Sequence, residues 1–194
     1  MIRFFDILFS VCGLLLCLPL FIVVAIIISL DSRGGVFYSQ VRVGRGDKDF
    51  RLLKFRSMRT NSDKKIGLTI GSRDSRITRV GYYLRKFKLD ELPQLINVLK
   101  GEMSMVGPRP EIRKYVNMYT PEQRRVLNVK PGITDYASLE YINENEILGK
   151  SSQPEKDYIE TIMPAKIELN MKFINYPSLC NYFRILGKTL VTIL

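Results

Sequence analysis

The sequence contains no histidine, and its only cysteines are Cys12, Cys17 and Cys180. Histidine is the usual general base, so its absence excludes Ser-His-Asp and Cys-His catalytic arrangements and most zinc sites. The cysteines have no metal-ligand spacing and form no disulfide framework, which predicts a reducing, cytoplasmic setting for the soluble part. Any acid–base or metal chemistry must therefore use Asp, Glu, Lys or Tyr.

Acidic residues are scarce in one stretch of the chain. Residues 33–88 contain 16 Lys and Arg against 4 Asp and Glu, a net charge of +12, whereas the whole 194-residue protein has a net charge of +11. Such a basic block favours phosphate groups on a nucleotide, a nucleic acid or an anionic membrane surface.

Charge is missing altogether from residues 7–30. A helix of this length extends about 36 Å at roughly 1.5 Å per residue, enough to cross the apolar core of a bilayer. Pro19 removes a backbone donor near the middle of the segment and predicts a kink. Basic residues flank both ends, which suits two ends on the cytoplasmic side. The residues alone leave open a re-entrant membrane helix and a single transmembrane helix.

The remaining pattern predicts an α+β fold that is mainly helical with a small β element. We divide the chain into an N-terminal membrane anchor, 1–32, and a cytoplasmic catalytic domain, 33–194. Within that domain, residues 36–43 and 49–58 have the pattern of two strands joined by a turn, and residues 60–76 that of a loop.

Several helices are predicted from their ends. One runs from Thr78 to about Phe87, and the next from Asp90 to Gly101. Two capping boxes predict further helix starts, formed by Thr120 with Gln123 and by Ser152 with Glu155. The tail from Leu179 repeats apolar residues at helical spacing, which predicts core packing or an amphipathic helix at the membrane interface.

The acid pair Asp90 and Glu91 stands between a basic run and an apolar helix pattern. By default, Asp90 caps the helix and Glu91 complements its dipole. Arg109 lies between Pro108 and Pro110, which stiffen the backbone, and such an arginine suits bidentate phosphate binding. Carboxylates and fixed cations without histidine can perform phosphoryl transfer, in which a carboxylate attacks phosphorus and a divalent cation screens the charges.

Residues 76–110, RITRVGYYLRKFKLDELPQLINVLKGEMSMVGPRP, closely resemble the signature of the bacterial sugar transferases, the monotopic phosphoglycosyl transferases of the undecaprenyl-phosphate pathway. The similarity extends to FYSQVRVGRG at 37–46, LLKFRSM at 52–58, KPGIT at 130–134 and the apolar segment with its proline. The resemblance implies transfer of a sugar-1-phosphate from a UDP-sugar to polyprenyl phosphate, releasing UMP and initiating lipid-linked glycan assembly. It also implies a bacterial inner-membrane protein whose catalytic domain faces the cytoplasm.

The same resemblance implies roles for individual residues. Asp90 matches the nucleophile that forms a covalent aspartyl–phosphosugar intermediate. Glu91 completes the pair, and both carboxylates are implied ligands of magnesium, the implied cofactor. Pro19 matches the break of a re-entrant membrane helix. The positions implied to bind substrate phosphate are Arg85, Arg109, Lys54 and Arg56. The implied partners are a UDP-sugar, polyprenyl phosphate and membrane lipid, and a homodimer stays open.

Two departures from the family pattern stand out. Leu18 precedes Pro19 where many members have serine, and residues 135–146 read DYASLEYINENE where many carry a GWAQVNG-like run, so the sugar is not identified.

Two other functions stay open: a membrane-tethered nucleic-acid-binding protein and a non-catalytic scaffold of polysaccharide assembly. The first needs aromatic platforms among the basic residues, but strand periodicity places most of those aromatics in a core, so we expect no nucleic-acid partner. The intact acid pair argues against the second.

Overall fold

The computed structural model describes residues 1–60 and 74–193, so most of the loop predicted over residues 60–76 lies outside the described residues. The described chain is mainly helical, with one antiparallel hairpin and one short parallel strand pair. This confirms the predicted α+β class with a small β element.

The N-terminal apolar segment forms one helix, α1, over Ile2–Asp31. Within the described part of the chain, it is the one helix long and apolar enough to cross a membrane. The helix continues through Pro19, and a kink there stays a prediction. One face of α1 packs against the rest of the protein, where Val24 and Ile28 are buried together with Phe55.

The predicted hairpin is confirmed. Strands β1 (Phe37–Val43) and β2 (Asp49–Phe55) pair antiparallel, with Phe37 opposite Phe55 and Val43 opposite Asp49. A 3-10 turn over Arg45–Asp47 joins them.

Helix α2 (Arg79–Lys86) begins as predicted, because the Thr78 hydroxyl accepts a hydrogen bond from the Gly81 amide at 2.9 Å. The next helix differs from the prediction. Lys88 has a left-handed backbone (φ 56°), Leu89–Glu91 form a 3-10 turn, and α3 begins only at Gln94 and runs to Lys100. Asp90 therefore does not cap α3. The left-handed residue interrupts the helical path before the acid pair, and Gly101 (φ 85°) ends α3 as predicted.

Strands β3 (Ser104–Val106) and β4 (Gly132–Thr134) pair in parallel. Their backbones approach closely at two glycines, since a Cβ on Gly132 would lie 2.1 Å from the Gly107 nitrogen. Between these strands lie α4 (Arg113–Val116) and a 3-10 helix (Gln123–Asn128). The predicted capping box at Thr120 and Gln123 is confirmed by reciprocal bonds of 2.9 and 3.2 Å.

The C-terminal third is helical. It contains α5 (Tyr136–Glu140), α6 (Glu144–Gly149), α7 (Pro154–Asp157), a π-helical turn (Tyr158–Ile162), α8 (Met163–Asn175) and α9 (Leu179–Ile193). The capping box predicted at Ser152 is wrong, because α7 begins after Gln153, whose amide donates to the Ser151 hydroxyl at 2.9 Å. Helix α9 is confirmed, with Tyr182 and Ile185 buried and Val191 82% exposed.

Helix α1 is fastened to the rest of the protein near both ends. In its first turns, Arg3 donates to the carbonyls of Val98 and Leu99 at 2.5 and 2.9 Å. Asp6 is buried and accepts hydrogen bonds from the Ser104 hydroxyl (2.8 Å), the Met105 amide (2.9 Å) and the Tyr182 hydroxyl (3.0 Å). The division of the chain at residue 32 stays a prediction, although α1 ends there.

Candidate active site

The predicted acid pair lies where three segments meet. Asp90 and Glu91 belong to the 3-10 turn before α3, Lys54 comes from β2, and Arg109 comes from the segment after β3. Asp90 is 5% exposed, and the side chains of Lys54 and Glu91 are largely buried. The fold therefore collects two carboxylates and two cations that are distant in sequence.

Glu91 is held by both cations. Lys54 Nζ lies 2.8 Å from Glu91 Oε1, Arg109 Nη1 lies 3.2 Å from Oε2, and Arg109 Nη2 also donates to Oε1. Burial works in the opposite direction, but Arg109 and Lys54 outweigh it and hold the pKa of the Glu91 carboxyl well below its usual value. Glu91 therefore stays ionised, and it fixes both cations beside Asp90.

Asp90 has different surroundings. Lys54 Nζ lies 3.9 Å from Asp90 Oδ2, a distance for charge attraction rather than a hydrogen bond. Burial raises the pKa of Asp90, the neighbouring Glu91 adds to that rise, and Lys54 opposes it. Lys54 thus hydrogen-bonds Glu91 but only attracts Asp90.

The other two predicted phosphate-binding residues, Arg85 and Arg56, have different contacts. Arg85, in the last turn of α2, is within electrostatic range of the pair: burial lowers its pKa, and the Asp90 and Asp74 carboxylates oppose that shift. Arg56 Nη2 donates to the Ile28 and Ser32 carbonyls at 3.3 and 2.6 Å. This buried arginine joins the end of β2 to the end of α1, and its role in phosphate binding stays a prediction.

Asp135 contributes to the site, and we did not predict it. Its carboxylate accepts hydrogen bonds from the Arg109 amide at 2.8 Å, from Asn170 Nδ2 at 3.0 Å and from the Ser138 amide. It therefore caps α5 and fixes the backbone that carries Arg109. An aspartate before a helix signals a cap in the sequence, but the contact with Arg109, 26 residues away, has no local signal.

A groove of about 610 Å³ opens beside the acid pair. Glu91, Arg109 and Lys88 are the charged residues that line it. Its walls are mainly apolar and come from α1, α3, α5 and α9. The volume lies within the range of small-molecule and cofactor sites in proteins.

Asp90 and Glu91 are the carboxylates that would hold a magnesium ion together with substrate phosphates. Within residues 1–60 and 74–193, no group of three or more Asp, Glu, Cys or His could form an all-protein cage. Magnesium in phosphoryl-transfer sites typically uses one or two carboxylates together with substrate phosphates. Asp90 and Glu91 supply that number of carboxylates, beside cations suited to the phosphates.

Comparison with known proteins gives a consistent result. A family model described as "Bacterial sugar transferase" matches residues 1–194. A UDP-N-acetylgalactosamine-undecaprenyl-phosphate N-acetylgalactosaminephosphotransferase of Aeromonas hydrophila is 44% identical over 142 residues, which cover 71% of this chain and 33% of that protein. An undecaprenyl-phosphate glucose phosphotransferase of Komagataeibacter xylinus is 42% identical over 148 residues, covering 71% and 27%.

A third relative aligns over almost the whole chain. The UDP-glucose:undecaprenyl-phosphate glucose-1-phosphate transferase of Xanthomonas campestris pv. campestris is 37% identical over 195 residues, covering 97% of this chain and 38% of that protein. The chain thus spans between about a quarter and two fifths of the length of these three relatives. Because the family model matches from the first residue to the last, the chain belongs to the bacterial sugar transferase family.

Proposed function

We propose that the protein transfers a sugar-1-phosphate from a UDP-sugar to polyprenyl phosphate and so starts the assembly of a lipid-linked glycan. The observation that carries the proposal is the asymmetry of the acid pair: Arg109 and Lys54 bind Glu91, whereas Lys54 only attracts Asp90. Relatives named as undecaprenyl-phosphate sugar phosphotransferases support the choice of substrates.

In the first step, an Asp90 carboxylate oxygen attacks the phosphorus that bears the sugar. A bond forms between Asp90 and that phosphorus, and the bond to the bridging oxygen breaks, so UMP leaves with that oxygen. In the second step, a phosphate oxygen of the acceptor attacks the same phosphorus and the Asp90–phosphorus bond breaks. The products are a polyprenyl diphosphate sugar and a regenerated carboxylate.

The surrounding cations stabilise the charge on the transferred phosphoryl group. Arg85, Arg109 and Lys54 approach the pair from three different elements, so they can bind phosphate oxygens during both steps. Glu91 keeps Arg109 and Lys54 in position. When bound by Asp90 and Glu91, magnesium would screen the charge of the diphosphate.

We propose further that α1 enters and leaves the membrane on one side, with the catalytic part on the cytoplasmic face of the bacterial inner membrane. Arg3 and Asp6 contact the catalytic part near the start of α1, and Ile28 contacts it near the end. A straight helix crossing a bilayer about 30 Å thick could not keep both ends against a domain that stays on one side. These contacts support the re-entrant arrangement over the spanning one.

Replacing Asp90 by asparagine tests the mechanism. An amide cannot act as the nucleophile, so Asp90→Asn should retain the fold but release no UMP from the UDP-sugar. The wild type, incubated with UDP-sugar alone, should gain the mass of one phosphosugar on Asp90. The matched control is Glu160→Gln, which removes an exposed carboxylate and should behave as the wild type. UMP release by Asp90→Asn at the wild-type rate would refute the covalent mechanism.

Labelling tests the arrangement of α1. A cysteine at position 2, in a variant without the three natural cysteines, should react with a membrane-impermeant reagent only from the cytoplasmic side. Reaction from the periplasmic side alone would establish a spanning helix.

A further inference from the structure

The groove beside the acid pair has one charged end and an apolar body. The charged residues of the lining, Lys88, Glu91 and Arg109, lie together, because Arg109 binds Glu91 and the Glu91 amide bonds the Lys88 carbonyl; we call them the charged end. The remaining lining is mainly apolar and includes Phe9 and Leu186. The helices that contribute these two residues, α1 and α9, also have exposed apolar side chains, among them Leu16 (81% exposed) and Leu190 (62%). Leu190 also lines the groove, so the groove opens onto an exposed apolar surface of α9.

Gly187 lies in the wall of this groove, in the middle of α9. Glycine inside a helix costs roughly 0.5–1 kcal/mol relative to alanine, so such a glycine normally has a packing or functional reason. Packing does not explain it here, because a Cβ at Gly187 would meet no atom within 4 Å. The absent side chain leaves space in the groove rather than room for a neighbouring helix.

Lys88 has an unusual backbone at the charged end. Its φ of 56° and ψ of 17° are left-handed, a conformation that is uncommon for residues other than glycine and is found disproportionately at functional sites. Lys88 is exposed and lines the groove two residues before Asp90. The strained turn thus directs a cation to the groove and the acid pair to the buried site.

We propose that this groove binds the isoprenoid chain of the lipid acceptor, with the acceptor phosphate at Lys88 and Arg109 and with Gly187 providing clearance for the chain. This inference rests on the proposed function and assigns its second substrate, polyprenyl phosphate, to the groove. A single apolar chain with a phosphate at one terminus matches a groove with a single charged end. That end lies next to Asp90, where the acceptor oxygen must attack the phosphosugar.

The two half-reactions separate this assignment from the proposed function. UDP-sugar alone should give one equivalent of UMP per enzyme, and polyprenyl phosphate added afterwards should discharge the phosphosugar. Absence of the UMP burst in the wild type would refute the proposed function before any groove variant is measured.

Gly187→Trp fills the groove without displacing the backbone, and we expect an unchanged UMP burst with at least tenfold slower discharge by polyprenyl phosphate. The matched control is Val191→Trp, one turn further along α9, which is 82% exposed and does not line the groove. Gly187→Ala, with a smaller side chain and better helix propensity, should show a smaller defect of the same kind. Discharge by Gly187→Trp as fast as by Val191→Trp would overturn the assignment.

Lys88→Asn tests the charged end, because asparagine tolerates the left-handed backbone and removes only the ammonium group. It should raise the KM for polyprenyl phosphate several-fold while the burst is unchanged, and an unchanged KM would remove Lys88 from the acceptor site. Native mass spectrometry of the wild type should detect retained polyprenyl phosphate that Gly187→Trp loses. Equal retention of phosphatidylglycerol by the wild type, lost in the same variant, would assign the groove to membrane phospholipid and overturn the proposal.

Discussion

The hydroxyl of Tyr182 donates a 3.0 Å hydrogen bond to Asp6, joining the second turn of the first helix to the last helix across 176 residues of sequence. Both residues are buried, and Asp6 also accepts hydrogen bonds from Ser104 and from the Met105 amide. A buried carboxylate is stable only when it is fully hydrogen-bonded, so each of these donors contributes to the packing of α1 and α9.

Tyr182→Phe should weaken that junction. The variant removes one hydrogen bond to a charged group, which is worth about 1.5–3 kcal/mol of unfolding free energy. Denaturant unfolding in detergent micelles measures the loss. The control, Tyr176→Phe, lies on a residue that is 75% exposed and should change the free energy by less than about 0.5 kcal/mol. Equal stability of the two variants would contradict a structural role for the hydrogen bond between Tyr182 and Asp6.

Lys54→Met should move the pH dependence of the first half-reaction. Asp90 must be ionised to attack, so the rate falls as the pH drops through the pKa of Asp90, which burial raises above its ordinary value. Lys54 opposes that rise, and removing its charge therefore raises the pKa of Asp90 further. The acidic limb of kcat/KM for UMP release should shift to higher pH, whereas the exposed control Lys172→Met should leave it in place. An unshifted limb in Lys54→Met would mean that Asp90 does not limit the rate.

Arg109→Lys should slow the chemical step without unfolding the protein. The guanidinium uses two nitrogens on Glu91, and an ammonium group cannot reproduce that fork. Loss of one charge-assisted bond, about 1.5–3 kcal/mol, corresponds to a rate lower by about ten- to a hundredfold in single-turnover UMP release. The backbone bond from residue 109 to Asp135 remains, so the variant should stay folded, with a loss of unfolding free energy no larger than that of the broken bond to Glu91. The exposed control Arg184→Lys should retain full activity, and a wild-type rate in Arg109→Lys would show that the fork is dispensable.

Arg56→Leu distinguishes the observed position of Arg56 from the one predicted. Removing its donors to the end of α1 should lower the unfolding free energy by about 1–3 kcal/mol. The KM for the UDP-sugar should stay near that of the wild type in the folded fraction. A raised KM at unchanged stability would instead return Arg56 to the phosphate-binding set.

Local patterns in the sequence predicted what depends on local physics. The hairpin followed from strand alternation, and the ends at Thr78 and Gly101 followed from capping chemistry. Asp90 was assigned to a helix start because an aspartate before an apolar stripe usually caps it. The left-handed backbone of Lys88, which a lysine does not predict, places Asp90 in a 3-10 turn before the helix instead.

The site depends on contacts that the sequence does not display. Family resemblance placed Asp90, Glu91, Arg85, Arg109 and Lys54 near one another, and the structure brings them together. Arg56 follows the end of β2 at Phe55 and hydrogen-bonds the end of α1, a contact that local pattern does not predict. The contacts of Asp135 and Asp6 connect segments 26 to 176 residues apart, a separation over which local periodicity carries no information.

The double attachment of α1 has a consequence for how such proteins could be recombined. Residues from several parts of the catalytic portion contact Arg3, Asp6 and Ile28, so the membrane segment carries side chains that are specific for its own domain. Exchanging this segment for another apolar helix would preserve its hydropathy but lose these contacts with the catalytic portion. A modular tether is interchangeable between proteins, whereas this helix should be inherited together with the enzyme that it supports.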